Sequence, residues 1–217
     1  MSSGDNGQGD MAGGALGRIT AALQPLAAMP VATPWNHAEL ADLLPATPLR
    51  EAAVLVGLVD RDDGPYMLFT RRTDHLRHHA GQVSFPGGAL EPEDVDAVAA
   101  ALRETREEIG VDAASIQPLG FLDAMATITG FRVVPVVARI DAGYIATPDP
   151  NEVADVFELP LDFVLARDSL FHAETPWQGR IRRIAELRPW PGAAHARIWG
   201  ATAIIIDNLR RRMEALE

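Results

Sequence analysis

The 217-residue chain contains no cysteine and no lysine. Without thiols there is no disulfide framework, no cysteine nucleophile and no thiolate zinc site. Without lysine there is no Schiff-base amine and no P-loop lysine, so any phosphate clamp must be built from guanidinium groups. Long apolar runs are also missing: nothing approaches the ~20 residues that a membrane-spanning helix needs. The first residues, MSSGDNGQGDMAGG, carry neither a basic cluster nor an apolar run; they read as a disordered tail over 1–14, not as a signal peptide. Positive charge is scarce. Thirty acidic against nineteen basic residues give a net charge of −11, which argues against a general nucleic-acid or anionic-membrane partner. The expectation is a cytoplasmic protein acting on small molecules, and a homodimer is compatible with it.

A hydrophobic fraction of 47% over this length suits one domain with a full core better than two. Helical spacing over Ala15–Leu26, weaker spacing over His37–Leu44 and punctuating prolines predict a helical N-terminal extension over 15–48, packed on a domain over 49–217. Glu51–Val59 is a mostly apolar run that suits a strand buried on both faces. Asp62-Asp63-Gly64-Pro65 reads as a turn returning into a second strand, Tyr66–Arg71. Ile116–Leu122 and Phe131–Ile140 read as further strands, with Pro135 suggesting an edge or bulge. Thr127–Gly130 is the turn between them. A Pro/Asp/Asn loop over Thr147–Val153 is expected to lead into a short helix through Val156, with another near Leu161–Ala166. Phe171–Thr175 and Ile181–Glu186 can form a late hairpin, and Ile198–Leu216 a closing helix, in which Trp199 reads as core.

The stretch carrying chemistry is FPGGALEPEDVDAVAAALRETREEIGV, Phe85–Val111. A Pro-Gly-Gly turn precedes an acidic loop and a helix ending at Gly110. On a wheel of about 100° per residue, Glu104, Glu107 and Glu108 share one side, while Val95, Val98, Leu102 and Ile109 gather opposite. This predicts one core face and one carboxylate face. Three carboxylates so close repel unless a counter-charge sits among them, and oxygen donors beside a tight Gly turn suit Mg²⁺ or Mn²⁺.

Arg103-Glu104-Thr105-Arg106-Glu107-Glu108-Ile109-Gly110-Val111 resembles the REUxEExGU core of the Nudix box, U being aliphatic. Thr105 departs from that pattern. The upstream half is out of register: counting back from Arg103 gives Val95 and Ala89, and Gly88 and Asp94 fit only if the loop carries an extra residue. The preceding segment, LFTRRTDHLRHHAGQVSFPGG (Leu68–Gly88), is similar to the signature of the coenzyme A pyrophosphatase subfamily, matching at Leu68, Thr70, Arg72, Arg77, Gly81, Phe85, Pro86, Gly87 and Gly88. PNEVADVFELPL, around Glu152, and the IWGATA start of the closing segment resemble further elements of that subfamily. His75, His78 and His79 read as solvated loop residues.

The resemblance implies an α/β fold, a Nudix-type α/β/α sandwich with a central mixed sheet. It also implies Mg²⁺- or Mn²⁺-dependent hydrolysis of coenzyme A or a derivative to 4′-phosphopantetheine and adenosine 3′,5′-bisphosphate. Glu104 and Glu108 would hold the principal ion, Glu107 a second, and the Gly88 carbonyl would be a further ligand. Glu104 or Glu152 would serve as base, and Arg72, Arg77 and Gly87 would bind the substrate; Arg71, outside the matched positions, is a further substrate-binding candidate because it adds a guanidinium beside the acidic helix, where a polyphosphate needs one. Arg103, four residues before Glu107, would orient it. Other nucleoside diphosphate derivatives, such as ADP-ribose, a dinucleotide or an oxidised nucleotide, are the alternative substrates. A non-catalytic nucleotide-binding domain is the alternative from another class.

Overall fold

The structure is a computed structural model describing residues 8–75, 79–177, 180–193 and 196–217. The long first strand, β1 (Arg50–Arg61), turns tightly into β2 (Gly64–Arg72) and pairs with it antiparallel only near the hairpin, from Leu58↔Met67 to Arg61↔Gly64. Beyond that the two strands splay. Into the opening run β3 (Val83–Ser84), which pairs with β2 at Thr70 and Arg71, and β4 (Gly87–Ala89), which pairs with β1 at Ala52–Val54. The expected Pro-Gly-Gly turn is therefore a strand segment inside the sheet. A side chain at Gly87 (φ +153°) would run into the Ala53 carbonyl and the Val54 backbone, so only glycine lets this segment lie so close to β1.

After helix α3 (Ala97–Ile109) come β5 (Ile116–Phe121), β6 (Met125–Ala126) and β7 (Phe131–Ile140). β7 runs parallel to β1 along its whole length, whereas β5 and β6 pair antiparallel to it, so the sheet is mixed. β7 is thus an interior strand, not an edge. Pro135 is tolerated because it lies opposite the break between β5 and β6. Its carbonyl accepts from the Leu122 N–H, and its missing donor points to the same interrupted side.

Residues 153–156, expected to be helical, instead begin strand β8 (Val153–Pro160), which pairs with β2 from Tyr66↔Pro160 to Arg72↔Val153. Phe157 and Leu159 stand two apart, a period of two that packs Phe157 against Phe69. The short helix α4 (Leu161–Leu165) follows. Strands β9 (Leu170–Trp177) and β10 (Arg180–Leu187) form a separate two-stranded sheet, and helix α5 (Ala201–Glu214) closes the domain. α5 starts three residues later than its sequence suggests. Trp199 is held in a bridge to Glu186 and is only partly buried, and Gly200 (φ +62°) is not helical.

At the N-terminal side, α1 spans Gln8–Ala22, so part of the stretch expected to be tail is helical; once nucleated, a helix gains one hydrogen bond per added residue. It ends where Gln24 bridges to Phe121. Residues 1–7 of the expected tail lie outside the described residues. A second short helix, α2, is confined to His37–Leu40.

The sheet carries a core on each face. On one side Ile19 of α1, Val164 of α4 and Ile206 and Leu209 of α5 meet Val56, Leu58, Met67 and Phe69. On the other, Ala97, Ala100, Ala101 and Ile109 of α3 meet Ala53, Leu55, Leu68 and Val136. β1 is therefore buried on both faces, as its continuous apolar run requires. The result is an α/β/α sandwich around a mixed sheet. Among the described residues no helix is long and apolar enough to cross a membrane.

Candidate active site

α3 begins where the Asp96 side chain accepts from the Ala99 N–H and ends at Gly110 in the left-handed conformation. Its buried face does not lie opposite the carboxylates. Val95 precedes the helix and is 90% exposed, and Val98 and Leu102 are only half-buried. The buried residues are Ala97, Ala100, Ala101, Thr105, Glu108 and Ile109, which places Glu108 near the middle of the face pressed on the sheet. Small alanines let the helix approach closely, and the acidic residues take up the same face one turn further on. Thr105 spends its hydroxyl on the Ala101 carbonyl at 2.6 Å, which lets a polar side chain stand at a buried position.

Beneath this face lie Gly87 and Gly88. A side chain at Gly88 would collide with the Glu104 carboxylate, and the Gly87 N–H reaches the Glu108 carboxylate. Arg103 holds the rim. Its guanidinium donates to Asp94 at 2.9 and 3.2 Å, to Glu104 at 2.9 Å, to Glu107 at 3.0 Å and to the Ala89 carbonyl at 3.0 Å. Asp94, whose side chain is 5% exposed, is held below the usual carboxylate range chiefly by its hydrogen bonds from Arg103. The loop register with an extra residue thus delivers an acid to Arg103. The sequence reading found only the Glu107 part of that network. The single signal for the rest was an acid displaced by one position.

Glu108 is 4% exposed and one carboxylate oxygen, Oε2, has no hydrogen-bond partner. Burial pushes its pKa up to about 8; Arg72, at 3.6 Å, opposes that, while the charges of Glu104 and Glu152 add to it. Burial likewise raises Glu104, against the pull of Arg103. Glu152, 49% exposed, reaches Arg72 at 4.0 Å. Its loop is pinned to the end of α3, because the Thr147 and Asp149 N–H groups donate to the Ile109 and Glu108 carbonyls at 2.7 and 2.9 Å. On the other side, Thr73 donates to the Asn151 and Glu152 carbonyls. The Asp149–Asn151 turn that makes this possible was visible in the sequence only as a loop.

Arg71 and Arg72 are neighbours on β2 and so face opposite sides of the sheet. Arg72 lies with Glu108, whereas Arg71 turns to Asp74 at 3.3 Å and is not brought to the acidic cluster. Arg77 and His78 lie outside the described residues. His75 is exposed, and His79 pairs with Gln82 at 2.8 Å.

Glu104, Glu107, Glu108 and Glu152 thus edge one patch floored by Gly87 and Gly88. Among the described residues no three acidic side chains already converge as a ligand cluster; Glu104 and Glu107 pair with Arg103, and Glu108 with Arg72. The donor set still fits a hard divalent cation. Its side chains offer carboxylate oxygens only, one of them buried and unpartnered, with Glu104 and Glu107 each keeping an oxygen beyond the one Arg103 takes.

The NUDIX domain model matches residues 48–185. A protein named uncharacterized Nudix hydrolase NudL from Yersinia pestis is 37% identical over 164 residues, covering 76% of this chain and 80% of its own length, and the Yersinia pseudotuberculosis protein of that name matches equally. Among solved structures, a MutT NUDIX hydrolase from Burkholderia pseudomallei overlays on 75% of this chain and 98% of its own with TM-score 0.44 and 19% identity. The NUDIX domain of Shewanella oneidensis NrtR, complexed with ADP ribose, gives 0.42 and 22% over 59% of this chain and 85% of its own. Overlays this loose carry no argument, and the assignment rests on the domain model and the curated relatives: the chain belongs to the Nudix hydrolase family, enzymes that act on phosphoric anhydrides.

Proposed function

We propose that this chain hydrolyses the pyrophosphate bond of coenzyme A or a close derivative, releasing 4′-phosphopantetheine, or its acyl form, and adenosine 3′,5′-bisphosphate. One observation carries the reading. The segment similar to the coenzyme A pyrophosphatase signature, Leu68–Gly88, includes the second half of β2, all of β3 and the start of β4, so it both floors the acidic helix and supplies Arg72 to Glu108.

In this proposal Glu104 and Glu108 hold the principal Mg²⁺ or Mn²⁺, Glu107 a second, and the Gly88 carbonyl completes the set. The bound ion supplies charge neutralisation for the diphosphate and lowers the pKa of an attacking water. The protein's own groups do the rest. Arg72, and Arg77 from the sequence signature, meet phosphate oxygens with guanidinium donors. Arg103 fixes Glu104 and Glu107 so that their outward oxygens stay aligned. Glu104 is committed to Arg103 and packed on Gly88, whereas Glu152 is half-exposed and faces Arg72. We therefore assign Glu152 as the base that accepts the water proton. The buried patch keeps bulk water from the Glu108 side, where screening would weaken the field.

Mass spectrometry of the products from coenzyme A, with Mn²⁺ in oxygen-18 water, tests this and reports which phosphorus is attacked. Coenzyme A cleaved no better than ADP-ribose in a parallel assay would reverse the substrate assignment.

A further inference from the structure

Glu152 sits at the end of a turn, and one residue of that turn ties it to the acidic helix. The Asp149 N–H donates to the Glu108 carbonyl at 2.9 Å, while the Asp149 carbonyl accepts from the N–H groups of Glu152 at 3.0 Å and Val153 at 2.8 Å. Two hydrogen bonds and one residue thus join the main chain of Glu108 to that of Glu152, although the two glutamates are far apart in sequence. Downstream the chain is held as firmly. Val153 is buried in the core under α3 and pairs with Arg72, and Thr73, just past β2, donates to the Asn151 and Glu152 carbonyls.

What remains to be set is the shape of the turn itself. Asp149-Pro150-Asn151-Glu152 has an acid at its first position and proline at its second, the residues that such a turn favours. Pro148 and Pro150 fix φ on either side, and Pro150 keeps Asp149 out of the helical region. The Asp149 side chain then braces the turn: Oδ1 accepts from the Asn151 N–H at 2.8 Å and from Asn151 Nδ2 at 2.9 Å. Among the described residues these are the bonds its carboxylate makes, so the group is spent on the turn. We propose that Asp149 is a positioning residue for Glu152: its carboxylate shapes the turn that presents the base, acting through geometry and not through its charge. The inference rests on Glu152 being the base.

A double-mutant cycle with Glu152→Gln tests it, on the full chain with coenzyme A and Mn²⁺. In Asp149→Ala kcat should fall at least ~tenfold, since misplacing a reacting group by about an ångström costs one to two orders of magnitude. KM should stay within about twofold, so the loss lies in turnover. The thermal midpoint should move by less than ~4 °C, because the lost contacts lie on the surface. The calorimetric Kd for Mn²⁺ should stay within about twofold, since the N–H that meets the Glu108 carbonyl is kept. Asp149→Asn retains an acceptor oxygen without the charge and should restore kcat to within about threefold of wild type. In the Glu152→Gln background, Asp149→Ala should change kcat by less than about twofold. Weaker Mn²⁺ binding in Asp149→Ala, or Asp149→Asn as slow as Asp149→Ala, would make the charge the active property. An equal loss in both backgrounds, or wild-type kcat in Asp149→Ala, would detach Asp149 from the base. Each of these overturns the inference while leaving coenzyme A hydrolysis standing. Glu152→Gln with unchanged kcat, or wild type that leaves coenzyme A intact, instead defeats the reading on which it rests.

Discussion

Removing the charge at Glu108 should stabilise the protein while destroying its activity. The carboxyl is buried, lacks a partner for Oε2 and titrates near pH 8 where an ordinary glutamate titrates near 4.5. Between those values the folded state holds a proton that the unfolded chain has released, so stability falls as pH rises through the window and levels off above about 8. At roughly 1.4 kcal/mol per pH unit, the ceiling on this penalty is about 5 kcal/mol. Arg72 is only part-buried and loses an ionic partner in Glu108→Gln, which offsets part of the gain. The net expectation is a stabilisation of ~1–3 kcal/mol at pH 8 in chelator, shrinking towards zero near pH 5. Urea denaturation of wild type and Glu108→Gln across that range measures it, with activity falling at least ~100-fold in the same variant. Added Mn²⁺ should raise the wild-type midpoint and leave the variant's nearly unchanged, since a ligand that binds only the folded state adds its binding free energy. A variant less stable than wild type in chelator at every pH, or a gap that ignores pH, would refute the reasoning.

Other substitutions separate the parts of the site. Gly88→Ala should cut activity by about two orders of magnitude by displacing the Glu104 carboxylate; because the obstruction is the end of a flexible side chain, the thermal midpoint should move little, and wild-type turnover would contradict the placement. Arg72→Ala should raise KM for coenzyme A at least ~tenfold, whereas Arg71→Ala, on the opposite face, should leave it within about twofold. Arg103→Met should lower stability by ~2–4 kcal/mol, because it strands the buried Asp94. The Asp94 contribution is present above the ordinary carboxylate range and lost as pH falls through its lowered value, so the wild-type advantage should narrow in acid, read by denaturation midpoints. Glu152→Gln should reduce kcat far more than it raises KM if Glu152 takes the water proton; a change in KM alone would return the base to Glu104.

The parts of the fold that follow from local pattern were readable in advance. The run of apolar residues in β1, the Asp62–Pro65 turn and the limits of β7 need only neighbours in sequence. What sequence could not supply was the facing of α3. A wheel built on large apolar residues turns Val95 and Leu102 inward, but packing against a strand this close selects alanines, and Ala97, Ala100 and Ala101 take the carboxylates with them. β8 was missed because its inward apolar positions are diluted by Asp155 and Glu158, whose acceptability depends on partners far along the chain; Glu158, for one, is bonded by Arg61 and Tyr144. Arg71 and Arg72 both read as guanidiniums beside the acidic helix, Arg72 alone of the two matching the signature, until the strand put them on opposite faces. The acids themselves were legible, being held at helical spacing. The loop bringing Glu152 to them was not, because the main-chain bonds that fix it join segments far apart in the chain, with the Thr73 hydroxyl adding a bond to the Asn151 carbonyl.

Those main-chain bonds set where the chain tolerates changes of length. Thr147 and Asp149 latch onto the carbonyls of Ile109 and Glu108, and Glu152 follows within three residues of the second latch. An insertion before Thr147, around the exposed Ile145, would bulge into solvent and leave the two acids in step. The same insertion between Asp149 and Glu152 would slide one acid past the other while the helix stayed whole, silencing the enzyme without unfolding it.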